Sequence, residues 1–435
     1  MKNYPSIVTA PPGPKAREVI EKDRRFSSPS YIKEYPLVVE RGEGAMVQDV
    51  DGNRYLDFMT GIAVASTGHS HPKVVAAIKD AAEKFLHICA TDFYYPAFSD
   101  LCERLARIGP GPHPKRVFLT NSGTEAVEGA IKLARSHTKR SDIIAFEGAF
   151  HGRSMGAISL NSSKTKYRRH FGPLLSGVHH LPYANPYRPR DWREATEKLF
   201  RQRVGPDEIA AVFIEPIRGE GGYVIPPIEF LQFWRDFCDE NGAVLVYDEV
   251  QSGIGRTGEM FASENFGVYP DVTLSAKGLA SGMPIGAIIA RESVMSWEQG
   301  SHGSTFAGNP VCCAAALATL DLVEGGLAAN AKAMGRLLLD GLRELKQKHD
   351  VIGDVRGMGL MIGVEFVRDR ATKEPYEGFS GQLELAAFER GLLLLGCGRS
   401  TIRLAPPLLI DEEDVSIALR ILDEALQSLQ SPVPA

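Results

Sequence analysis

The chain has 435 residues, of which 44% are hydrophobic and 24% are charged, and its formal net charge is −5. This length allows two or three domains, and the composition is that of an ordinary soluble globular protein. The slightly acidic balance, without any block of Lys or Arg, argues against binding to nucleic acid or to an anionic membrane surface.

The amino terminus lacks the apolar stretch of a signal peptide, and no uncharged apolar run is long enough to span a bilayer. We therefore expect a cytoplasmic protein that does not bind membranes. The cysteines form no CxxC pair and lie in apolar, helix-like surroundings, which predicts reduced core thiols rather than disulfides or metal ligands. They are Cys89, Cys102, Cys238, Cys312, Cys313 and Cys397.

The stretch 38–58 predicts a small antiparallel unit near the amino terminus. It holds a glycine-containing turn and then Asp51-Gly52, which is a strong hairpin signal. Ile62 follows shortly after and fits either the wall of a pocket or a core position. We expect residues 1–65 to pack with a small domain formed by the end of the chain.

Apolar residues recur at helical spacing from Pro72 to Leu86, which predicts an amphipathic helix. His69 and His71 precede it at a spacing that metal sites also use. Because no third ligand or carboxylate partner lies nearby in the sequence, we predict no metal site.

Residues 117–119 predict a short strand, and Ser122, Gly123 and Thr124 follow before a helix with an apolar face. Ser122 with Glu125 matches a capping box, so one interpretation is simply a well-started helix. Gly123, however, lets the backbone approach a ligand, and two hydroxyls lie at the positive end of the helix dipole, which suits a phosphate. Both interpretations stay open on these residues alone.

The next buried strand, residues 143–146, leads into Phe150, His151 and Arg153. An aromatic ring at a strand exit can lie flat on a planar cofactor. An arginine at the same place can clamp a substrate carboxylate through two parallel hydrogen bonds.

Residues 211–214 form a third predicted strand, which ends at Glu215 and is followed by Glu220 in a Gly-rich loop. An exposed Glu in such a loop is usually a solvated tip. Because polar residues also follow the neighbouring predicted strands, we interpret this Glu instead as part of a ligand-binding site.

Two further buried strands deliver a carboxylate and an amine to the same edge of a sheet. Residues 243–247 end in Asp248, and residues 272–275 are followed by Lys277. Open α/β folds bind ligands at this edge. A carboxylate can hold a heteroaromatic nitrogen protonated and a lysine can form an imine, which are the two functions that pyridoxal phosphate (PLP) requires. Taken singly, Asp248 fits a turn cap and Lys277 a solvated strand end.

Residues 253–258 spell G-x-G-x-x-G directly after a predicted strand, the pattern of a dinucleotide site. Residues 248–251 separate the strand from the glycines. The segment that follows, 259–264, is too short for the helix that would hold a pyrophosphate. This context argues against an NAD-dependent oxidoreductase, which is the remote alternative.

The last part of the chain has the pattern of a separate small domain. A Leu-rich helix is predicted at 337–345, a strand-like run at 360–366, and an amphipathic helix at 415–426. We therefore expect residues 66–325 to form the large ligand-binding domain and residues 326–435 the carboxyl-terminal small domain.

Six motifs occur in one order: NSGTEA at 121–126, FHGR at 150–153, EP…GEGG at 215–222, DEVQSGIGRTG at 248–258, AKGL at 276–279 and GSTFAGNP at 303–310. Together they resemble the class III (ω-amino) aminotransferases, which are PLP enzymes of fold type I, and most of all the 4-aminobutyrate aminotransferases. The likeness runs from the hairpin near Asp51 to Arg403. It implies an α/β fold whose large domain has a mostly parallel seven-stranded sheet sandwiched by helices. A smaller α+β domain would be built from the amino- and carboxyl-terminal segments.

The resemblance also implies how PLP would be held. Lys277 would carry it as a Schiff base and move the proton during catalysis. Asp248 would pair with the ring nitrogen, and Gln251 would bond the ring hydroxyl. Val250 and Phe150 would pack against the two ring faces.

By the same resemblance, Ser122, Gly123 and Thr124 would bind the phosphate group together with Thr305 of a partner subunit. This last contact implies a homodimer with shared active sites. The cofactor-binding set is completed by His151 and Glu215.

For substrates, the resemblance assigns Arg153 to the carboxylate of an ω-amino acid and Ile62 to its aliphatic stem. Glu220 would neutralise Arg403 until 2-oxoglutarate arrives and Arg403 is released to clamp its α-carboxylate. The implied activity is a ping-pong transfer of an amino group from a 4-aminobutyrate-like donor, or from ornithine or acetylornithine, to 2-oxoglutarate.

One alternative within the family stays open. The segments 277–284 and 11–15 resemble a branch that includes amino-acid racemases beside transaminases. A racemase uses the same lysine, cofactor and fold but needs a second acid/base group, and the sequence does not identify one.

Overall fold

The computed structural model describes residues 4–430. The chain divides into two compact units. The terminal unit comprises Met1–His71 and Asn330–Ala435, and the central unit comprises Pro72–Ala329. The domain boundaries predicted after residues 65 and 325 precede these divisions by a few residues.

In the described residues the strands are β1 (Val39–Glu43), β2 (Met46–Asp49), β3 (Arg54–Asp57), β4 (Lys115–Thr120), β5 (Asp142–Phe146), β6 (Val178–Leu181), β7 (Ile209–Ile214), β8 (Val244–Asp248), β9 (Val272–Ser275), β10 (Gly286–Arg291), β11 (Ile352–Met358), β12 (Met361–Asp369), β13 (Glu374–Pro375), β14 (Leu392–Leu393), β15 (Leu395–Cys397) and β16 (Thr401–Leu404).

The helices of the same residues are α1 (Pro14–Phe26), α2 (Thr60–Ala63), α3 (Pro72–Lys84), α4 (Pro96–Ile108), α5 (Gly123–Thr138), α6 (Met155–Leu160), α7 (Trp192–Gln202), α8 (Ile228–Asn241), α9 (Ala262–Phe266), α10 (Pro310–Leu322), α11 (Ala328–Lys348), α12 (Phe379–Phe388) and α13 (Glu412–Gln430). Short 3-10 turns lie at Thr165–Tyr167, Pro206–Glu208 and Lys277–Ala280, and a π turn lies at Val323–Leu327.

The central unit is built on a seven-stranded sheet with the order β4-β10-β9-β8-β7-β5-β6. Neighbouring strands from β9 to β6 run parallel, whereas β10 is antiparallel to both β9 and β4. The mostly parallel seven-stranded sheet that the sequence predicted is therefore confirmed.

Both faces of this sheet are buried, which explains why its central strands are apolar throughout. On β5, Ile143 belongs to the hydrophobic cluster that contains α5, and Ile144 belongs to the cluster that contains α8. On β8, Val246 and Leu245 divide between the two clusters in the same way. Since helices cover each face, the carboxyl edge of the sheet is left for polar residues.

The terminal unit contains two smaller sheets. In the first, β1, β2 and β3 form an antiparallel meander, as the hairpin signals predicted, and β14 adds to β3 in parallel. In the second, β12 lies between β11 and β16, and β15 pairs with β16. Because β14 comes from the end of the chain and β3 from its beginning, the two terminal segments share a sheet.

One helical stretch, Pro310–Lys348, is long and apolar enough to span a membrane by length and composition, with a mean hydropathy of 1.6 in its most apolar window. Core helices have the same composition, and 44% of that window is buried inside the protein. Its first part, α10, packs against α3 and α4. This interior position accounts for its apolar character.

Candidate active site

The carboxyl edge of the central sheet brings the predicted acid and amine to neighbouring strand ends. β8 ends at Asp248, which pairs in register with Leu274 of the parallel strand β9. The backbone N–H of Glu249 donates to the Leu274 carbonyl at 3.0 Å, which fixes the two strand ends against each other. Lys277 follows three residues after Leu274.

Asp248 is a buried carboxylate held by two donors. Its Oδ2 lies 2.8 Å from Nδ1 of His151, and its Oδ1 accepts from the Val250 backbone at 3.1 Å. Burial lowers the pKa of His151, but the hydrogen bond and the charge of Asp248, together with Glu215, outweigh burial and raise it. His151 and the Val250 backbone therefore fix the Asp248 carboxylate in place at the sheet edge, and a carboxylate is the kind of group that can hold a heteroaromatic nitrogen protonated.

Glu215 links two loops near this pair, the one that contains Phe150 and the one that contains Gly219. Its Oε1 accepts from the Phe150 backbone at 3.0 Å, and its Oε2 accepts from the Gly219 backbone at 2.8 Å. Burial raises the pKa of Glu215, the charge of His151 lowers it, and the charge of Asp248 raises it. The structure shows Glu215 in contact with backbone, so its direct contact with a cofactor stays a prediction.

The amino terminus of α5 is the predicted phosphate site, here called the cradle. Ser122 caps the helix by accepting from the Glu125 backbone at 3.3 Å. Glu125 departs from the predicted capping box, because its carboxylate accepts from the backbone and side chain of Asn121, both at 2.9 Å, one residue further back. The first N–H groups of a helix have no partner within that helix, so this end can bind a phosphate.

Two glycines keep this cradle open. A Cβ on Gly123 would lie 2.9 Å from the Cγ atoms of Val250, and a Cβ on Gly152 would collide with Thr124. Thr124 Oγ1 is itself 2.7 Å from Ser154 Oγ, a residue that the sequence did not single out. Glycine is therefore required at 123 and at 152 for packing.

We expect Gly123→Ala to weaken cofactor binding about tenfold, because the added methyl group displaces Val250 from its place beside the cradle. The matched control is Gly381→Ala in α12, where a Cβ meets nothing within 4 Å. The dissociation constant is measured from cofactor absorbance during titration of the apoenzyme. Equal affinity in the wild type and Gly123→Ala would show that the cradle does not bind the phosphate.

Lys277 has an unusual backbone conformation for a residue with a side chain. Its φ is 44°, in the left-handed region, and Ser281 at the end of the same turn has φ 48°. Non-glycine residues in this region carry strain and concentrate at functional sites. The position of Lys277 after a buried strand, with this conformation, fits the predicted role of a reactive amine.

The predicted carboxylate-binding residue, Arg153, is exposed and lies over the ring of Tyr167 at 5.1 Å. The ring of Tyr167 also makes an edge contact with Phe150, with 5.3 Å between centroids. Burial, followed by the charge of Glu220, raises the pKa of Tyr167. An exposed guanidinium therefore stands over Tyr167, whose ring contacts Phe150, the residue predicted to cover the cofactor.

Glu220 contacts Lys164 and Tyr167 of the central unit. Its Oε1 lies 2.7 Å from Lys164 Nζ and accepts from the Tyr167 hydroxyl at 3.2 Å. Its predicted pairing with Arg403 stays a prediction. Gln251 accepts from the Tyr223 hydroxyl at 2.6 Å.

Sequence reasoning missed Lys164, Tyr167 and Tyr223 as neighbours of the site. Lys164 and Tyr167 lie in a polar stretch without periodicity, and Tyr223 follows a Gly-rich loop, so no pattern in the sequence marks them. Thr305 is exposed in this chain, and its contact with a partner subunit's cofactor stays a prediction.

The other two predicted substrate residues, Ile62 and Arg403, belong to the terminal unit. Ile62 lies in α2, which is a left-handed turn rather than a right-handed helix, because all four of its residues, 60–63, have positive φ; it is here called the 60–63 turn. Such a conformation costs roughly 1–2 kcal/mol for each non-glycine residue. Arg403 lies on β16 and is buried. The 60–63 turn is joined to the chain just after β16, because Thr60 Oγ1 donates to the Ala405 carbonyl at 2.8 Å.

The G-x-G-x-x-G stretch is used differently from a dinucleotide site. The helix after it, α9, has five residues, and the buried carboxylate of Glu249 already caps its start. The Oε1 of Glu249 accepts from the Ser263 backbone at 2.9 Å, and Ser252 donates to its Oε2 at 3.1 Å. Burial raises the pKa of Glu249 to about 6. Because Glu249 already caps the start of α9, this helix does not need the phosphate of a dinucleotide at its amino terminus.

Within residues 4–430, no group of three or more His, Cys, Asp or Glu side chains is arranged to hold a metal ion. His69, one of the two histidines considered for metal binding, is paired with Asp57 at 2.7 Å.

The sequence profile of the family Aminotransferase class-III matches residues 28–426. The chain belongs to the class III aminotransferases. An alanine/serine racemase of Pyrococcus horikoshii is 40% identical over 98% of this chain and 94% of its own length. A 4-aminobutyrate aminotransferase of Mycobacterium tuberculosis is 40% identical over 97% of this chain and 98% of its own length.

Solved structures agree with the family. An (S)-enantioselective ω-transaminase from Thermomicrobium roseum superposes with a TM-score of 0.88 at 33% identity, covering 96% of this chain and 99% of that one. The predicted family, fold type and PLP-dependent transaminase activity are therefore confirmed, and the NAD-dependent alternative is wrong.

The residues of this class III enzyme fit its cofactor, PLP. The buried pair of Asp248 and His151 matches a protonated ring nitrogen, and the open helix start at Gly123 matches a phosphate. When bound, PLP supplies a sink for the electrons left on the substrate carbon as its proton departs. Lys277 would hold its aldehyde.

Proposed function

We propose that this class III aminotransferase transfers the terminal amino group of an ω-amino acid such as 4-aminobutyrate to 2-oxoglutarate in a ping-pong cycle. The observation that carries this proposal is the exposed guanidinium of Arg153, held over Tyr167 beside Phe150. A carboxylate bound there would leave the far end of the donor, with its amino group, directed toward the cofactor. The similarity to 4-aminobutyrate aminotransferase supports the same donor class.

Lys277 performs the proton transfer in this cycle. Its Nζ accepts the proton that leaves the amine-bearing carbon of the donor, and in the second half of the cycle it returns a proton to the new amino acid. Asp248 would pair with the ring nitrogen of PLP, and its carboxylate is held in place by His151 and the Val250 backbone. Gln251, which accepts from the Tyr223 hydroxyl, would bond the ring hydroxyl.

Glu220 and Arg403 let one site accept two kinds of carboxylate. With an ω-amino acid bound, Glu220 neutralises Arg403, because the aliphatic stem of the substrate has no carboxylate for Arg403 to bind. With 2-oxoglutarate, Arg403 binds the α-carboxylate and Arg153 the distal one. Lys164 lies 2.7 Å from Glu220. Its positive charge balances the Glu220 carboxylate when Arg403 is released to bind 2-oxoglutarate.

We further propose that the enzyme is a cytoplasmic homodimer in which Thr305 of each subunit completes the phosphate site of the other. The exposure of Thr305 in the single chain supports this assembly, because the residue is accessible to a second copy.

A second candidate function is amino-acid racemisation, which the similarity to alanine/serine racemase favours. This reaction returns the proton to the same carbon from the opposite face. It needs an acid/base group other than Lys277, and we assign that role to Tyr167, whose ring lies 5.3 Å from that of Phe150 and whose pKa is raised by burial.

A paired assay of the PLP-loaded enzyme separates the two functions. One arm supplies 4-aminobutyrate, ornithine or acetylornithine with 2-oxoglutarate and measures glutamate. The other supplies L-alanine, L-leucine or L-isoleucine without an acceptor and measures the D-isomer by chiral chromatography. We expect acceptor-dependent glutamate and no D-isomer. D-isomer without glutamate would contradict the proposal and support the racemase.

A further inference from the structure

The segment 164–170, here called the basic segment, concentrates positive charge in a short stretch of the central unit. It contains Lys164, Lys166, Arg168 and Arg169 and no acidic residue, whereas the whole chain has a formal net charge of −5. Lys166 and Arg169 are exposed. The basic segment is therefore a patch of positive charge on an acidic protein, and such a patch attracts anions.

Hydrogen bonds tie the basic segment to the carboxyl edge of the central sheet. Arg168 Nη1 donates to the Asn161 carbonyl at 3.0 Å. The buried side chain of Asn161 accepts from the His151 backbone at 2.6 Å and donates to the Gly152 carbonyl at 2.7 Å. Because the His151 imidazole also lies 2.8 Å from Asp248, the basic segment is anchored to the strand exit that holds this carboxylate.

Two exposed cations lie over the ring of Tyr167. The guanidinium of Arg153 is 5.1 Å from the ring centroid, and the ammonium of Lys166 is 5.6 Å from it. Within residues 4–430 neither side chain forms an ion pair with a carboxylate. Since an aromatic ring attracts a cation but has no net charge of its own, both positive charges stay available to an approaching anion.

The other charges of the basic segment are balanced only in part. Arg169 Nε donates to His170 Nε2 at 3.0 Å, so this contact leaves the charge of Arg169 uncancelled. Lys164 pairs with Glu220 at 2.7 Å. The basic segment and Arg153 together carry five positive charges, of which Glu220 offsets one.

We propose that the basic segment, with Arg153, attracts the phosphate dianion of PLP and thereby speeds capture of the cofactor by the apoenzyme. A phosphate ester carries roughly 1.5 to 2 negative charges at neutral pH. Clustered charges of the opposite sign raise association rates by about 10- to 1,000-fold. Lys166 and Arg169 act through their charge during the approach and do not touch the bound cofactor. The inference goes beyond the proposed function, because it does not depend on which amino donor or acceptor the enzyme uses.

The test measures the apparent bimolecular rate constant for PLP binding, from cofactor absorbance after rapid mixing with the full-length apoenzyme. The wild type is compared with the double variant Lys166→Gln/Arg169→Gln. We expect the double variant to bind PLP about fivefold more slowly at low salt, because it lacks two of the five charges. The difference should vanish between about 0.01 M and about 1 M salt, since the Debye length falls from about 30 Å to about 3 Å.

Two controls separate charge from structure. Lys198→Gln/Arg201→Gln removes the same charge from exposed positions on α7 of the same unit and should bind PLP at the wild-type rate. Pyridoxal, which lacks the phosphate group, should bind to the wild type and to Lys166→Gln/Arg169→Gln at equal rates. Lys166→Arg/Arg169→Lys keeps both charges and should bind PLP as fast as the wild type.

If Lys166→Gln/Arg169→Gln does not fold, the single variants Lys166→Gln and Arg169→Gln take its place, each with an expected slowing of about twofold at low salt. Equal PLP rates in the variant and the wild type at low salt would overturn the inference. A slowing that persists at high salt, that affects pyridoxal equally or that Lys198→Gln/Arg201→Gln reproduces would overturn it too. None of these results bears on the proposed transamination, because no amino donor or oxo acid is present in the measurement.

Discussion

Replacing Lys277 with alanine is expected to lower kcat by roughly 10⁴-fold, because the variant loses both the amine that holds the cofactor and the group that moves the proton. The fold should be retained, since Lys277 lies in a short turn at a strand end rather than in the core. The measurement is initial-rate transamination with saturating PLP, accompanied by absorbance spectra of the bound cofactor.

Lys198→Ala is the matched control. Lys198 is an exposed lysine on α7 in the same unit, so its loss removes one positive charge without touching the sheet edge. Its kcat and spectrum should equal those of the wild type. Normal turnover in Lys277→Ala would show that the chemistry depends on another residue.

Replacing Asp248 with asparagine is expected to lower kcat by roughly 10²–10³-fold while the cofactor stays bound. The amide has nearly the same shape as the carboxylate but carries no charge to hold the ring nitrogen protonated. The pKa of His151 should fall as well, because burial lowers it and Asp248 is the main group that opposes burial. Single-turnover absorbance changes measure the chemical step directly.

The control for this variant is Asp271→Asn at the opposite end of β9. Asp271 is also buried, and its Oδ2 accepts from the Leu245 backbone at 2.7 Å and from Arg235 at 3.0 Å. We expect this change to reduce stability without slowing the chemical step. Equal kcat losses in the two variants would mean that Asp248 acts through folding and not through the cofactor.

The strand ends of the central unit could be predicted from the sequence because buried parallel strands are short, apolar and abruptly ended. Asp248 and Lys277 were placed at one edge by this pattern alone, and β8 and β9 pair as expected. The pattern failed for β6, whose sequence Val-His-His-Leu is too polar to stand out, and it gave no sign that β10 runs antiparallel. Whether a strand runs parallel or antiparallel to its neighbour depends on the connecting segments, and these carry no periodic pattern in the sequence.

The surroundings of the site were harder to predict, because they depend on contacts between distant segments. Nothing near His151 in the sequence reveals that its partner is Asp248, and nothing near Glu220 reveals Lys164. The 60–63 turn was not predicted either. Its residues have no preference for the left-handed conformation, and contacts made elsewhere in the fold impose it.

The central claim is that Lys277, opposite Asp248 at the carboxyl edge of the central sheet, is the residue to which PLP is attached. The most direct measurement is borohydride reduction of the PLP-loaded enzyme, followed by proteolysis and mass-spectrometric mapping of the phosphopyridoxyl group. We expect a single modified peptide with the group on Lys277. A group fixed stoichiometrically on any other lysine, with Lys277 unmodified, would contradict the assignment.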